Sequence, residues 1–164
     1  MKPDAIAIAN YFVEKAKEEG NTLTILPLVK LVYIAHGFLL ALMDKSFLNP
    51  RFDKVEAWKY GPVIPSVYHS FKHNKSNPIT ECESALCLDG DKISFITPVI
   101  EDPSAKLVLN YVWSSYGYRS ANELVTITHK PNSPWDRYYR PNMNIEIPDE
   151  ATKFYYKKLV EELR

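Results

Sequence analysis

Glycine is scarce in this chain, with 5 glycines among 164 residues. Neither Gly-x-x-x-x-Gly-Lys-Ser/Thr nor Gly-x-Gly-x-x-Gly occurs, so the sequence excludes the common glycine-rich loops that hold phosphate groups at a helix N-terminus. A Gly-x-Ser-x-Gly elbow, which would present a catalytic serine, is also missing. These absences argue against nucleotide-dependent enzymes and serine hydrolases, and we predict that the protein is not an enzyme.

Cysteine and net charge are also limited. Cys82 and Cys87 are the only cysteines, so a disulfide framework cannot stabilise the fold. Lys plus Arg and Asp plus Glu number 20 each, which leaves no overall positive field to attract nucleic acid. Residues 1–5 lack the apolar stretch of a signal peptide. We therefore expect a cytoplasmic protein without general nucleic-acid binding.

One long apolar run invites a membrane interpretation. Residues 26–43 are about long enough to span a bilayer, but they include Pro27, Lys30 and His36. We predict a buried core helix here and no membrane partner. The composition, 46% hydrophobic and 24% charged, is that of an ordinary globular protein. A length of 164 residues suits one core, so residues 1–164 are predicted to form a single domain.

Helical periodicity recurs along most of the chain. Apolar residues at three- and four-residue spacing predict one helix over residues 4–18 and a second that starts after Thr24 and runs through the apolar segment. Capping or first-turn residues mark the further helix starts. These residues are Pro65, Asp102 with Pro103, Ser120 with Glu123, Ser133 with Pro134, and Asp149.

Extended structure is predicted in fewer places. Residues 55–60 alternate roughly between apolar and polar side chains before Gly61-Pro62 interrupts the pattern, which indicates a short strand. Residues 86–96 hold two β-favouring runs around a turn that contains Gly90, which indicates a hairpin. Residues 140–148 are interpreted as an extended connection. The predicted fold class is mainly α, a compact helical domain with a short antiparallel hairpin or three-stranded sheet.

Four residues could bind a metal. His69 and His73 lie four apart on a predicted helix, where two imidazoles can face one ion, and Cys82 and Cys87 follow them. Against a zinc site, the Cys-x4-Cys spacing is wider than the usual knuckle, and Cys87 falls in a strand where it packs as a small hydrophobic residue. A zinc-stabilised binding module is kept as an alternative, while the prediction is no metal and no cofactor.

His129 is the strongest candidate for chemistry. It lies close in sequence to Asp136 and Arg137, so a small hydrolase or nuclease that uses these polar residues is a second alternative. The competing interpretation is that His129 ends a helix and interacts with its unpaired carbonyl groups. We prefer this structural role.

Aromatic residues are abundant, at 13% of the chain, and several lie in segments that contain proline. Tyr, Trp and Arg are enriched among the residues that dominate protein interfaces, so these segments are candidates for binding a partner. Internal packing of loops onto helices is the alternative for each of them. The candidate partner-binding or family-motif residues are Trp58, Lys59, Tyr60, Pro62, Tyr68, His129, Trp135 and Arg137.

Several segments together resemble one family. These segments are residues 30–41 (KLVYIAHGFLLA), residues 56–68 (EAWKYGPVIPSVY), Tyr116-Gly117, Thr128-His129 and Pro134-Trp135. Their order and spacing resemble the Panacea domain, also known as the SocA-like antitoxin domain, which includes phage-associated members. The likeness spans roughly residues 5–140, and the Trp-Lys-Tyr-Gly-Pro-Val block is its most specific part.

The resemblance implies a function that the residues alone do not. It implies an antitoxin that neutralises a cognate protein toxin by direct contact, and one family member also delivers its toxin to a AAA+ protease. No catalytic residues come with it, which agrees with the absence of nucleotide and serine-hydrolase motifs. The identity of the toxin and the oligomeric state stay open at this point.

Overall fold

The computed structural model describes residues 4–164, and the helices dominate it, as the mainly α prediction requires. The helices are α1 Ala5–Glu19, α2 Ile25–Met43, α3 Pro65–Phe71, α4 Pro103–Tyr116, α5 Ala121–Thr128, α6 Pro134–Tyr138 and α7 Asp149–Glu162. A 3-10 turn, Lys72–Asn74, extends α3. The strands are β1 Glu56–Trp58, β2 Gly61–Val63, β3 Ala85–Asp89, β4 Lys92–Ile96 and β5 Ile145–Glu146.

Helix α2 forms the centre of the molecule. It packs against α1, α3, α4, α5, α7 and β2, and every residue from 28 to 40 is buried. An α-helix that is apolar on all sides must be covered on all sides, in a protein core or in a membrane. The length and hydropathy of α2 would suit a membrane span, but 72% of the most apolar 18-residue stretch of this helix is buried inside the protein. The prediction of a buried core helix is confirmed.

The predicted helix starts match the observed ones, and those of α4, α5 and α6 are fixed by side-chain capping bonds. The Asp102 carboxylate accepts hydrogen bonds from the backbone N–H groups of Ser104 and Ala105 at 2.8 and 3.1 Å. Ser120 and Glu123 form the reciprocal capping box at the start of α5. The Ser133 hydroxyl accepts a hydrogen bond from the Asp136 N–H, which fixes the start of α6. Local sequence alone therefore places these helix ends.

The larger sheet differs from the sequence prediction at one strand. Its order is β2-β1-β5, all antiparallel, with Trp58 opposite Gly61 and Ala57 opposite both Pro62 and Ile145. Gly61-Pro62 was expected to interrupt the strand but belongs to β2 instead. Because β2 is an edge strand, the missing N–H of Pro62 does not remove a bond that a further strand would need. Strand β5 lies within the segment predicted as an extended connection.

The predicted hairpin is confirmed as a second, separate sheet. Strands β3 and β4 pair antiparallel, with Asp89 opposite Lys92 and Gly90 in the turn at a φ of +60°. The buried Asn10 side chain of α1 holds both ends of this hairpin. It donates to the carbonyls of Glu83 and Pro98 at 2.9 and 3.0 Å and accepts from the Glu83 N–H at 2.9 Å. The hairpin is thereby fixed at its base to α1.

Helices α2 and α7 approach closely at Gly37. A Cβ atom at this position would overlap the ring of the buried Tyr156, so only glycine allows the contact. Nearby, the buried His36 Nε2 lies 3.1 Å from an Asp149 carboxylate oxygen at the start of α7. This hydrogen bond lowers the pKa of the Asp149 carboxyl. The two helices are therefore joined by an apolar contact and by a polar one.

Candidate functional site

The predicted aromatic residues assemble where α5 and α6 meet the larger sheet. The indole Nε1 of Trp135 donates a hydrogen bond of 2.6 Å to the backbone carbonyl of Trp58. The imidazole of His129 stacks on the Trp135 ring, with 3.7 Å between ring centroids and 5° between planes. The Tyr139 ring also stacks on Trp135, with 4.7 Å between ring centroids and 18° between planes. Residues from two segments that lie far apart in sequence thus pack together. We call Trp58, His129, Trp135 and Tyr139 the packed unit.

A buried lysine lies beneath this unit. Lys30 on α2 has no exposed surface, and its Nζ donates to the Pro62 carbonyl at 3.0 Å. Gly61 has a φ of +112°, and a Cβ there would lie 2.8 Å from Lys30 Nζ and 3.2 Å from Thr128 Oγ1. Both the backbone angle and the space therefore require glycine. Burial lowers the pKa of Lys30 from 10.5 to about 7.

His129 lies at the C-terminal end of α5, as predicted, but its ring does not cap the helix. Its backbone N–H donates to the carbonyls of Val125 and Thr126, while the imidazole packs against Trp135. Burial lowers the pKa of His129, the nearby Lys30 charge lowers it further, and a hydrogen bond with the Tyr60 backbone acts in the opposite direction. Its Nε2 is buried without a hydrogen-bond partner in the described structure. The lowered pKa favours the neutral form of the imidazole, which packs against Trp135.

An apolar cavity of about 220 Å³ opens beside the packed unit, between α2, the β1–β2 turn and α3. Tyr60 stands at its edge with 62% of its surface exposed, and Lys59 Nζ lies 5.5 Å from the centre of the Tyr60 ring. We call this cavity and its edge the Tyr60 surface. Its lining comprises Ile25, Leu26, Val29, Lys30, Trp58, Lys59, Tyr60, Val63 and Tyr68.

The remaining candidates for chemistry are dispersed. Arg137 lines a different groove between α6 and α7, together with Lys130, Phe154 and Lys158. The Asp136 carboxylate accepts a hydrogen bond of 2.9 Å from the Asn132 N–H. Within residues 4–164, the side chains of His129, Asp136 and Arg137 make no hydrogen bond with one another. The geometry does not support a hydrolase or nuclease built on these three residues.

The four metal candidates do not form one cluster. His73 contacts the Glu83 carboxylate, His69 packs against the edge of Tyr68, and Cys87 lies opposite Ser94 in the hairpin. Among the described residues, no three His, Cys, Asp or Glu side chains lie together as metal ligands would. The Cys82 thiol contacts a Glu14 carboxylate oxygen at 3.1 Å. Burial and this contact raise the pKa of Cys82 to about 12, which disfavours the thiolate that zinc needs.

Sequence reasoning missed two parts of the site. Lys30 and Thr128 both lie in segments that resemble the family, but the sequence predicts neither of them as a site residue. A lysine in the middle of an apolar helix is itself a signal, because a buried ammonium group requires a polar partner. Its partner, the Pro62 carbonyl, lies 32 residues further along the chain, so the sequence does not identify it.

Fold and site together define a class of mainly helical protein. Its sequence motifs meet next to Lys30, which is buried on the central helix, and they border an apolar cavity. The chain belongs to the family described as Antitoxin SocA-like, Panacea domain, whose family model matches residues 28–136. The matched range includes Lys30, the Trp58–Pro62 block, His129 and Trp135. The resemblance drawn from the sequence is thereby confirmed.

A curated relative supports the same assignment. The chain is 32% identical over 136 residues to Antitoxin SocA of Caulobacter vibrioides (strain NA1000 / CB15N), an alignment that covers 81% of this chain and 69% of the relative. No solved structure matches this chain. Helices α1 and α7 lie outside the range of the family model but pack directly against α2, so the hydrophobic core extends beyond that range.

Proposed function

We propose that this protein is a non-enzymatic cytoplasmic antitoxin that neutralises a cognate protein toxin by direct contact through the Tyr60 surface. Membership of the SocA-like family supports the antitoxin role. The observation that supports this binding site is that Tyr60 is exposed beside an apolar cavity, on a turn held in place by packed and hydrogen-bonded residues. Pockets of this kind accept the anchoring side chains that dominate protein interfaces.

The Tyr60 surface has the composition of an interface hot spot. Tyr60 is 62% exposed and Leu26 is 37% exposed at the cavity edge, while Lys59 supplies a charge beside them. Trp58 and Tyr68 form the cavity wall in an edge-to-face contact of 5.3 Å. A cavity of about 220 Å³ has room for one apolar or aromatic side chain of the toxin. A toxin side chain buried here would contribute both buried apolar area and shape complementarity to the interface.

The other motif residues have a positioning role in this proposal. Trp135 holds the backbone of Trp58, His129 packs on Trp135, and Pro62 accepts the Lys30 hydrogen bond. They fix the β1–β2 turn that presents Tyr60, and preorganisation of this kind lowers the entropy lost on binding. Arg137 lies in the α6–α7 groove, outside the Tyr60 surface, and in this proposal it makes only a peripheral contact with the toxin.

The experiment is rescue of growth by co-expression with the toxin, which is to be sought among the products of small neighbouring genes that stop growth when expressed alone. We expect the wild-type chain to restore growth and Tyr60→Ala to lose most of this effect. Leu26→Glu, which places a charge at the cavity edge, should do the same. The matched control is Tyr118→Ala, since Tyr118 is 63% exposed and lies outside the Tyr60 surface.

Two failures have separate meanings. If Tyr60→Ala and Leu26→Glu both rescue growth as well as the wild type does, the toxin binds elsewhere and the assignment of its binding site to the Tyr60 surface is wrong. If the wild-type chain neither rescues growth nor co-purifies with the toxin, the antitoxin function itself is wrong.

Delivery of the toxin to a AAA+ protease is a further part of the proposal, and it rests on the family resemblance alone. An adaptor shortens the lifetime of the toxin in cells, whereas a simple inhibitor does not. A chase of toxin abundance after translation is stopped, with and without this chain, separates the two roles. An unchanged toxin lifetime would reject the adaptor role and leave neutralisation by contact intact.

A further inference from the structure

One face of the β3–β4 hairpin consists of large apolar side chains. Leu86 pairs with Phe95, and Leu88 pairs with Ile93. Because side chains alternate between the two faces of a strand, all four lie on the same face. Their exposed fractions are 56% for Leu86, 66% for Leu88, 69% for Ile93 and 76% for Phe95. We call these four residues the hairpin face.

The hairpin face is anchored to α1 at its base but is otherwise uncovered in the described structure. The Asn10 side chain fixes both ends of the hairpin to α1, while the exposed fractions show that no other described segment covers the face. An isolated two-stranded hairpin is marginally stable in water and gains stability when its apolar face is packed. Contiguous exposed apolar surface of this kind marks an interaction site. The structure therefore calls for a partner that covers this face.

The area of the hairpin face matches what a stable dimer needs. Side chains of this size expose on the order of 150–200 Å² each, so fractions of 56–76% leave roughly 400–500 Å² of apolar surface. A standard protein interface buries about 800 Å² on each partner, of which about 56–65% is apolar. The four side chains thus supply nearly all the apolar area of one side of such an interface.

Charge at the tip of the hairpin also suits a second copy. A two-fold symmetric contact places the same patch on both sides, so a charged edge attracts itself only if it carries both signs. The tip carries Asp89 and Asp91 together with Lys92. The chain as a whole has 20 basic and 20 acidic residues, so long-range repulsion does not oppose association of two copies at pH 7.

We propose that the hairpin face is the self-association surface of this protein and that two copies pack their hairpins face to face about a two-fold axis. The contact excludes water from the eight apolar side chains of the two hairpins. The hairpin face shares no residue with the Tyr60 surface. This inference goes beyond the antitoxin function, because each copy in the dimer keeps its own toxin site.

The test is the mass of the purified full chain in solution, measured by light scattering after size exclusion and by sedimentation equilibrium over a range of concentrations. We expect the wild type to have twice the chain mass of 18.9 kDa. Phe95→Lys and, separately, Leu88→Lys should raise the dissociation constant at least about 100-fold and give a single-chain mass. Both positions are exposed, so the substitutions leave the core intact, and circular dichroism checks this.

The matched control is Ser94→Lys, which adds the same charge on the opposite face of the same strand and should leave the dimer intact. A monomeric wild type at all concentrations, or a Phe95→Lys chain that dimerises as well as the wild type, would overturn the proposal. A monomeric wild type whose Phe95→Lys variant fails to bind the toxin would overturn it too, and would assign the face to the toxin. Tyr60→Ala should dimerise normally, so this test is independent of the proposed function.

Discussion

At the scale of single residues, Lys30 explains why the motif segments meet where they do. A lysine on the central helix must find a polar partner, and the Pro62 carbonyl provides it at 3.0 Å. This bond draws β2 onto α2, and Gly61 is required because any side chain there would meet Lys30 and Thr128. The position of Tyr60 at the cavity edge therefore depends on a residue that is not itself exposed.

Lys30 gives a prediction about pH. Its pKa is about 7 in the folded chain and 10.5 when unperturbed, so between these values the unfolded chain binds more protons than the folded one. The free energy of unfolding therefore rises with pH from about 7 to about 10.5, and below pH 7 both states are protonated and the Lys30 contribution stays at its minimum. Lys30→Met removes this dependence. Relative to Lys30→Met, the wild type should gain on the order of 2–3 kcal/mol between pH 7 and 9.5.

Urea denaturation at the two pH values measures this difference. Lys59→Met serves as the control, because Lys59 is the exposed lysine of the same site and its replacement should leave the wild-type pH dependence unchanged. Equal pH dependence in the wild type and in Lys30→Met would show that Lys30 is not desolvated in the folded protein.

The sequence predicted the site unevenly at this scale. Trp58, Tyr60, His129 and Trp135 were recognised because they lie in compact motifs with an unusual density of aromatic residues and proline. Their division into exposed and internal residues was not predictable, since it depends on the stacking of His129 on Trp135 and on the Trp135 to Trp58 hydrogen bond. Both contacts join segments that the local pattern does not relate.

At the scale of elements, the junction of α2 and α7 depends on Gly37. Replacing Gly37 by Ala normally favours a helix by about 0.5–1 kcal/mol. Here the new methyl group would overlap the buried Tyr156 ring, so Gly37→Ala should destabilise the protein by about 1–3 kcal/mol. Thermal and urea denaturation measure the change.

Repeating the substitution in a Tyr156→Ala variant separates the effect of steric overlap from that of helix propensity. Because this variant lacks the Tyr156 ring, Gly37→Ala should be neutral or stabilising in it, as the helix propensity of alanine predicts. The same loss of stability in both backgrounds would show that the α2–α7 contact is not the cause.

The elements were predicted best where local signals suffice. Apolar spacing and capping residues located the helices, because both act within one or two turns of the chain. Strand β2 was missed because proline is rare in strands, and it is tolerated here only at the sheet edge. Strand β5 has two residues, too few for a periodic pattern, and it exists because β1 offers it a partner.

At the scale of the whole molecule, we propose that residues 1–164 form one cooperative domain. One buried cluster contains side chains from α1, α2, α4 and α7, with Phe12, Phe38, Trp113 and Tyr156 among the largest. A shared core of this kind should unfold in one transition. Tryptophan fluorescence reports on Trp58, Trp113 and Trp135, and it should coincide with far-ultraviolet circular dichroism during urea denaturation. Two separate midpoints would contradict the single domain.

Two surfaces distinguish the molecule from a simple helical scaffold: the Tyr60 surface, where the family motifs meet, and the hairpin face. The first follows from motifs that the sequence displays. The second was not foreseen, because alternating apolar residues in a hairpin ordinarily indicate a face packed on the core. Only the exposed fractions of the four side chains reveal that the chain leaves this face open.

The central proposal is that this protein neutralises a cognate toxin by direct contact, and mixing the two purified proteins tests it most directly. Isothermal titration and size exclusion should detect a stoichiometric complex with a dissociation constant below about 1 µM, since neutralisation in a cell needs the toxin to be occupied. Tyr60→Ala should weaken this affinity at least about tenfold, and Tyr118→Ala should leave it unchanged. Absence of a complex between folded wild-type protein and active toxin would contradict the account.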